Sequence, residues 1–191
     1  MKKWILAFLI LTLAASAGAT CAVDEAVWEA PVFEAPFIVT TCGQSPGAVM
    51  FSMAAMQAGV KASYNNALTA NDLKPEEFRT LVVTTGTSMK GMGAAGTDVN
   101  AEIARCLDII KAAKAAGMTV VGAHIEGMAR RTDSSDAASI DAVMKEADII
   151  LIVADSDSDG FFTKYAADSN KPMVVVKNAL EIGPRLLGVP K

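Results

Sequence analysis

The residues of this chain that could do chemistry are few and fall into four short stretches. His124 is the only histidine, so a histidine-rich metal site is excluded. A lone imidazole at a strand end is either a general base and hydrogen-bond donor or a satisfied, partly buried ring. Just beyond it, "HIEGMARR" brings Glu126, Arg130 and Arg131. Guanidinium forks suit carboxylates and phosphates, so one arginine is expected to face a ligand and the other to pair with Asp133 or Asp136. "CGQSP" contributes Gly43, Gln44 and Ser45, and "TTGTSMKGMGAAGTD" contributes Ser88, Lys90, Gly91 and Gly93. "DSDSDG" adds Asp155 and Asp159.

Two of these stretches imitate known ligand loops. G-M-G-A-A-G fits the dinucleotide fingerprint letter for letter, yet that fingerprint starts directly after its strand and opens a helix near its second glycine. Here the motif starts several residues after the apolar run, and the nearest acidic residue at a strand end, Glu126, stands 30 residues beyond Gly96 rather than about 20. The P-loop pattern fails as well, since Lys90 precedes Gly91 and no G-K-[ST] occurs. What is left is a glycine-rich loop, residues 86–97, whose amides point at an anion beside Lys90, or an ordinary packing loop. The aspartate run opens like a calcium loop, but its twelfth position is Ala166 rather than glutamate and a strand precedes it, so an EF-hand is rejected. Asp159 is expected to cap a helix and Asp155 to stand at the site's edge. No metal and no cofactor is expected. Ser45 or Ser88 as a nucleophile with His124 is a weak idea without G-x-S-x-G.

These stretches must be held by a scaffold, and the hydrophobic pattern supplies one. Continuously apolar, β-branched runs at 37–42, 80–85, 118–124, 148–153 and 172–177, with a shorter one at 61–65, read as strands covered on both faces. Between them lie helical patterns: one started by Ser45-Pro46 and ended by Gly59, one capped by Thr97 or Asp98, one capped by Ser134 or Ser135, one opened by Asp159 or Gly160, and a last one at 180–187 interrupted by Gly183-Pro184. The methionines of the first helix, Met50, Met53 and Met56, read as core. Such alternation predicts an α/β fold: a three-layer, doubly wound, mostly parallel sheet of five to six strands, flavodoxin- or Rossmann-like, in an order near 2-1-3-4-5-6. Ligands in such sheets bind beyond the carboxyl ends of the strands. All four chemistry-bearing stretches follow strands, whereas the opposite connections "AAGM", "KEAD" and "SNKP" look plain.

Lys2 and Lys3, the apolar run after them and the small residues around Ala17 and Ala19 read as a signal peptide over residues 1–22, with an extended arm at 23–36 and one domain at 37–191. The chain is therefore expected to be exported, periplasmic or secreted, with no membrane association after cleavage. It carries 17 basic and 21 acidic residues, and losing the two leader lysines makes it more acidic. Nucleic acid and anionic membranes are thus unfavourable partners. Of three cysteines, Cys21 lies near the cleavage region. Cys42 and Cys106 are expected as separate thiols, a bridge between them being the alternative in an oxidising compartment.

Taken together, "TTCGQSPGAVM", "GTSMKGMGAAGTDVNAEIAR", "GAHIEGMARRTDSSD" and "ADSDSDGFFTKYA" resemble an exported bacterial family classed only as a domain of unknown function. The resemblance runs from about Pro36 to Val176. It implies an exported α/β domain and no particular activity, substrate or catalytic residue. Cys42 stands where that family leads one to expect a small residue without a thiol. The residues themselves suggest a protein that binds a small anionic molecule at the strand ends. A hydrolase or transferase acting on such a molecule, with His124 as base, is the alternative.

Overall fold

A computed structural model describes residues 33–187. The expected signal segment, Cys21 and the arm through residue 32 lie outside the described residues. The elements alternate as β1 (Phe37–Cys42), α1 (Gly47–Gln57), β2 (Ala62–Tyr64), β3 (Thr80–Thr85), α2 (Met89–Ala95), α3 (Val99–Ala115), β4 (Thr119–His124), α4 (Ser134–Glu146), β5 (Ile149–Val153), α5 (Phe161–Ser169), β6 (Met173–Val176) and α6 (Ile182–Leu186). All six strands are parallel, in the order β2-β1-β3-β4-β5-β6. β1, β3 and β5 are buried along their whole length, as expected of strands covered on both faces.

The period of two divides each strand between two cores. Phe37, Val39, Val82, Val121 and Leu151 face Phe51 of α1 and Ile182 of α6. Ile38, Cys42, Leu81 and Val120 face Ile109 and Ile110 of α3. Ile150 and Ile152 face Ile140 and Met144 of α4 and Phe162 of α5. Helices α1 and α6 thus form one outer layer and α3, α4 and α5 the other. The winding reverses between β1 and β3, which puts the topological switch point, and the default ligand crevice, at the tips of those two strands.

Several local expectations are corrected. The stretch 86–97 is not a glycine-rich loop. Seven of its residues form α2, capped by Ser88, whose hydroxyl accepts from the Gly91 amide at 3.1 Å, and ended by Gly96 at φ 67°. The low helix propensity of Gly91 and Gly93 hides it from a sequence reading. Gly91 is needed there because a Cβ would collide with the Gln44 carbonyl. Of the methionines of α1, Met50 packs against the core, whereas Met53 and Met56 are 51% and 53% exposed, and Ala48, Phe51 and Ala55 fill the buried face. Gly183-Pro184 does not interrupt the last helix, because both lie in the first turn of α6, where proline's missing N–H costs nothing.

Candidate functional site

The crevice at the switch point is closed by backbone. After β1 the chain turns through Gly43 at φ 127° and Gln44 at φ 56°. After β3 it turns through Gly86 at φ 108°. The two turns meet as an isolated antiparallel bridge between Gln44 and Thr87, and the Ser88 amide donates to the Gly43 carbonyl at 2.8 Å. A Cβ on Gly43 would lie 2.7 Å from the Gly86 oxygen. Gly43 is therefore a close-approach residue between two loops, not a donor to a ligand.

Under this bridge sits a polar network that sequence reasoning missed. Glu102 of α3, 3% exposed, accepts from the Gly43 amide at 3.3 Å and from Gln44 Nε2 at 3.1 Å. It also pairs with Arg105 at 2.7 Å. Arg105 in turn donates to the carbonyls of Leu68, at 2.8 Å, and Thr41. Gln44 is thus spent on Glu102 and on the Asn66 carbonyl. Ser45 does not cap α1. Its buried hydroxyl lies 3.2 Å from that of Thr41. No local side chain caps α1. The acceptor at its start is Glu126, whose Oε1 takes the Gly47 amide at 2.9 Å. The other oxygen of Glu126 accepts from Arg130 Nε at 3.1 Å, and Arg130 Nη1 donates to the Thr87 carbonyl at 2.6 Å.

A second missed carboxylate closes the β3 turn. Asp136, 2% exposed, accepts from the Thr87 amide and hydroxyl at 2.8 and 2.7 Å, and from the Thr132 amide and hydroxyl at 3.0 and 3.3 Å. Burial alone would raise its pKa, but these four donors outweigh burial and hold it below the ordinary carboxylate value. The expected pairing of an arginine with Asp133 or Asp136 does not occur. Asp133 instead caps α4, in place of Ser134 or Ser135.

Arg131 is engaged at the turn after β5 rather than at the β1–β3 crevice. It makes a two-pronged pair with Asp159 at 2.8 and 2.9 Å, donates to the Ser156 carbonyl at 2.8 Å, and lies over the Phe161 ring at 4.5 Å. That guanidinium holds Asp159 at a pKa of about 2. The three loop aspartates are taken up by amides and by Arg131; Asp159 also accepts from the first amide of α5, that of Phe161, at 3.2 Å, as expected of a cap. Asp155 takes the Met128 amide at 3.0 Å, and Asp157 takes the Phe162 amide at 2.6 Å and caps α5. Among the described residues, no three His, Cys, Asp or Glu side chains are grouped to hold a metal ion.

His124 is fully buried. Its Nε2 is 3.2 Å from the Gly127 carbonyl, which can only accept, so the proton sits there. Nδ1 then accepts from the Thr85 hydroxyl at 2.9 Å. Burial pushes its pKa down to about 4. Both ring nitrogens are used inside the protein, which is the satisfied neutral ring of the two alternatives rather than an open base. Lys90 and Gly93 are exposed on α2. A groove of about 260 Å³ lies between α4 and α5, lined by Arg131, Asp133, Ile140, Phe161 and Tyr165, and the other candidate residues do not line it.

Solved structures with a related build are distant. A GDSL-like lipase from Bacteroides thetaiotaomicron VPI-5482 shares 10% identity at a TM-score of 0.36, over 73% of this chain and 66% of that one. A putative acylhydrolase from Bacteroides fragilis NCTC 9343 shares 10% at 0.33, over 77% and 71%. A GDP-L-fucose synthetase from Naegleria fowleri bound to NADP shares 11% at 0.32, over 76% and 53%. The chain thus spans about two thirds of the lipase and about half of the synthetase, and nothing of their activities passes to it through such likenesses. No curated protein matches the sequence. The family is decided by residues 34–189, which match DUF6305, and the chain belongs to this family, a domain of unknown function.

Proposed function

We propose that this domain binds a small molecule carrying a carboxylate or phosphate, and that the acid group takes the place of Glu126. The observation behind this is the seat of the Glu126 carboxylate. One oxygen lies on the first amide of α1 and the other on the Arg130 guanidinium. A helix N-terminus joined to an arginine fork is the donor set that acid groups favour. Gly47 leaves room for it: a Cβ there would lie 3.0 Å from Glu126 Oε1 and 2.9 Å from Thr84 Oγ1. Arg130 is 31% exposed and Lys90 is exposed on the first turn of α2, so positive charge faces solvent at this rim. An exported location would suit a binding protein of this kind, and the leader-like residues 1–22 support it.

The proposal is tested with acetate, succinate and inorganic phosphate in thermal-shift and calorimetric titrations of the native chain, Glu126→Gln and Arg130→Ala. Glu126→Gln vacates the competing charge and should bind at least one of the three several-fold more tightly than the native chain. Arg130→Ala should bind none. Equal and negligible binding by all three proteins would overturn the reading.

A further inference from the structure

We propose that Cys42 and Cys106 are joined by a disulfide that clamps α3 to the tip of β1 when the chain folds in the presence of a small-molecule disulfide. The sequence placed these thiols apart, on the ground that Cys106 lies two turns along its helix. The fold overrides that spacing. Residues 38 and 42 of β1 point to the face that α3 covers, and both cysteines fall in one buried cluster with Ile109 and Ile110. Each is essentially inaccessible to solvent. The Cys106 thiol donates to the carbonyl of Thr41, the residue bonded to Cys42, at 3.6 Å, so its sulfur stands beside the backbone of Cys42. A sulfur in contact with the carbonyl that precedes Cys42, inside the same buried cluster, is in the neighbourhood from which a disulfide can be closed.

Before the fold closes the two thiols are alike, so either attacks as its thiolate, Cys42 for instance. Its sulfur displaces one thiol from the small disulfide and forms a mixed disulfide. Cys106 loses its proton to solvent and displaces the second thiol from Cys42. One S–S bond is broken and one is made; the protein loses two electrons and the small disulfide gains them. Because neither sulfur is accessible in the folded chain, the exchange belongs to the stage before α3 closes on β1. Both sulfurs are free thiols in the present structure, which represents the reduced form. The bond would stand one turn from Glu102 and next to Gly43, and so make covalent the support of the bridged turns. None of this depends on an anion binding near Glu126.

The test uses the full-length chain with Cys21→Ser, unfolded in urea and refolded by dilution into reduced and oxidised glutathione, then quenched with iodoacetamide. A folded product, checked by circular dichroism, should take up no alkyl group and weigh two hydrogens less than the dithiol. On digestion its peptide 106–111 should be linked to the peptide holding Cys42. Its melting temperature should drop on adding dithiothreitol, and the same reductant should leave Cys106→Ala unchanged. A folded product that takes up two alkyl groups, or carries glutathione on either cysteine without the linked peptide, would overturn the proposal. The Cys42→Ala and Cys106→Ala chains supply the reference masses for both outcomes.

Discussion

Helices α1 and α5 both begin at the carboxyl edge of the sheet, and they solve the same problem from different distances. The first amides of α5 are met by Asp159 and Asp157, a few residues upstream. Those of α1 are met by Glu126, which is 79 residues away in sequence. In both cases a carboxylate satisfies unpaired amides and the positive end of the helix dipole. The local acceptor forms whenever the helix forms. The remote one forms only when β4 has been laid beside β3, so it reports on the assembled sheet. Asp136 and Glu102 belong with Glu126: each reaches back to a turn after β3 or β1 from another element. The candidate face is thus supported by remote carboxylates near the switch point and by local ones at its β5 edge.

The opposite edge follows the same logic with reversed charge. Lys171, in the plain-looking "SNKP" connection, donates to the carbonyls of Met144, Lys145 and Ala147 at 2.8, 2.6 and 2.7 Å. It thereby closes the C-terminal end of α4, the negative end of a helix dipole. What looked empty of chemistry on that side is an ammonium cap.

If remote acceptors matter more than local ones, Asp136→Ala should show it most strongly. It strips a buried turn of its acceptor and leaves the Thr87 amide unpaired, at about 3 kcal/mol in urea unfolding. A loss as small as that of an ordinary cap would break the comparison. The native carboxylate also sets a pH dependence. Its lowered pKa means its contribution is complete above the ordinary carboxylate value and is lost as pH falls through the native value.

His124 gives the next largest effect and a cleaner sign. Its pKa is about 4 in the native chain and about 6.5 unfolded. Between those values the unfolded chain holds one more proton, so stability should decline as pH drops from about 6.5 to about 4. His124→Gln should remove that one-proton slope, measured by urea unfolding across the window.

Glu126→Ala and Asp133→Ala compare a remote cap with a local one directly. The local cap should cost about 1 kcal/mol. The remote one should cost about 2 kcal/mol, because the Arg130 guanidinium loses its partner as well. Equal costs would mean that distance in sequence does not matter. The smallest effect is expected at the β5 edge, where Asp159→Asn breaks an ion pair half open to water. A carboxyl titration by nuclear magnetic resonance should find Asp159 charged down to about pH 2, as its pairing with Arg131 requires.

The sequence by itself determined a mostly parallel sheet of five to six strands, its order and most of the intervening helices, because apolar periodicity and local stop signals act within a few residues. It also placed the polar stretches at the carboxyl edge of the sheet, since they follow strands. It did not reveal that Gln44, Ser45 and Arg131 spend their polar groups inside the protein, which of its two alternatives holds for His124, or that Glu102 and Asp136 hold the turns. Hydrogen-bond partners 49 to 65 residues apart are chosen by how strands and helices pack, and no spacing rule reaches that far. The helix α2 was hidden for the converse reason: its glycines are poor helix formers, and only the close approach of the Gln44 backbone explains why Gly91 is there. Propensity and pattern act along the chain, whereas burial, pairing and the protonation of a ring are decided across it.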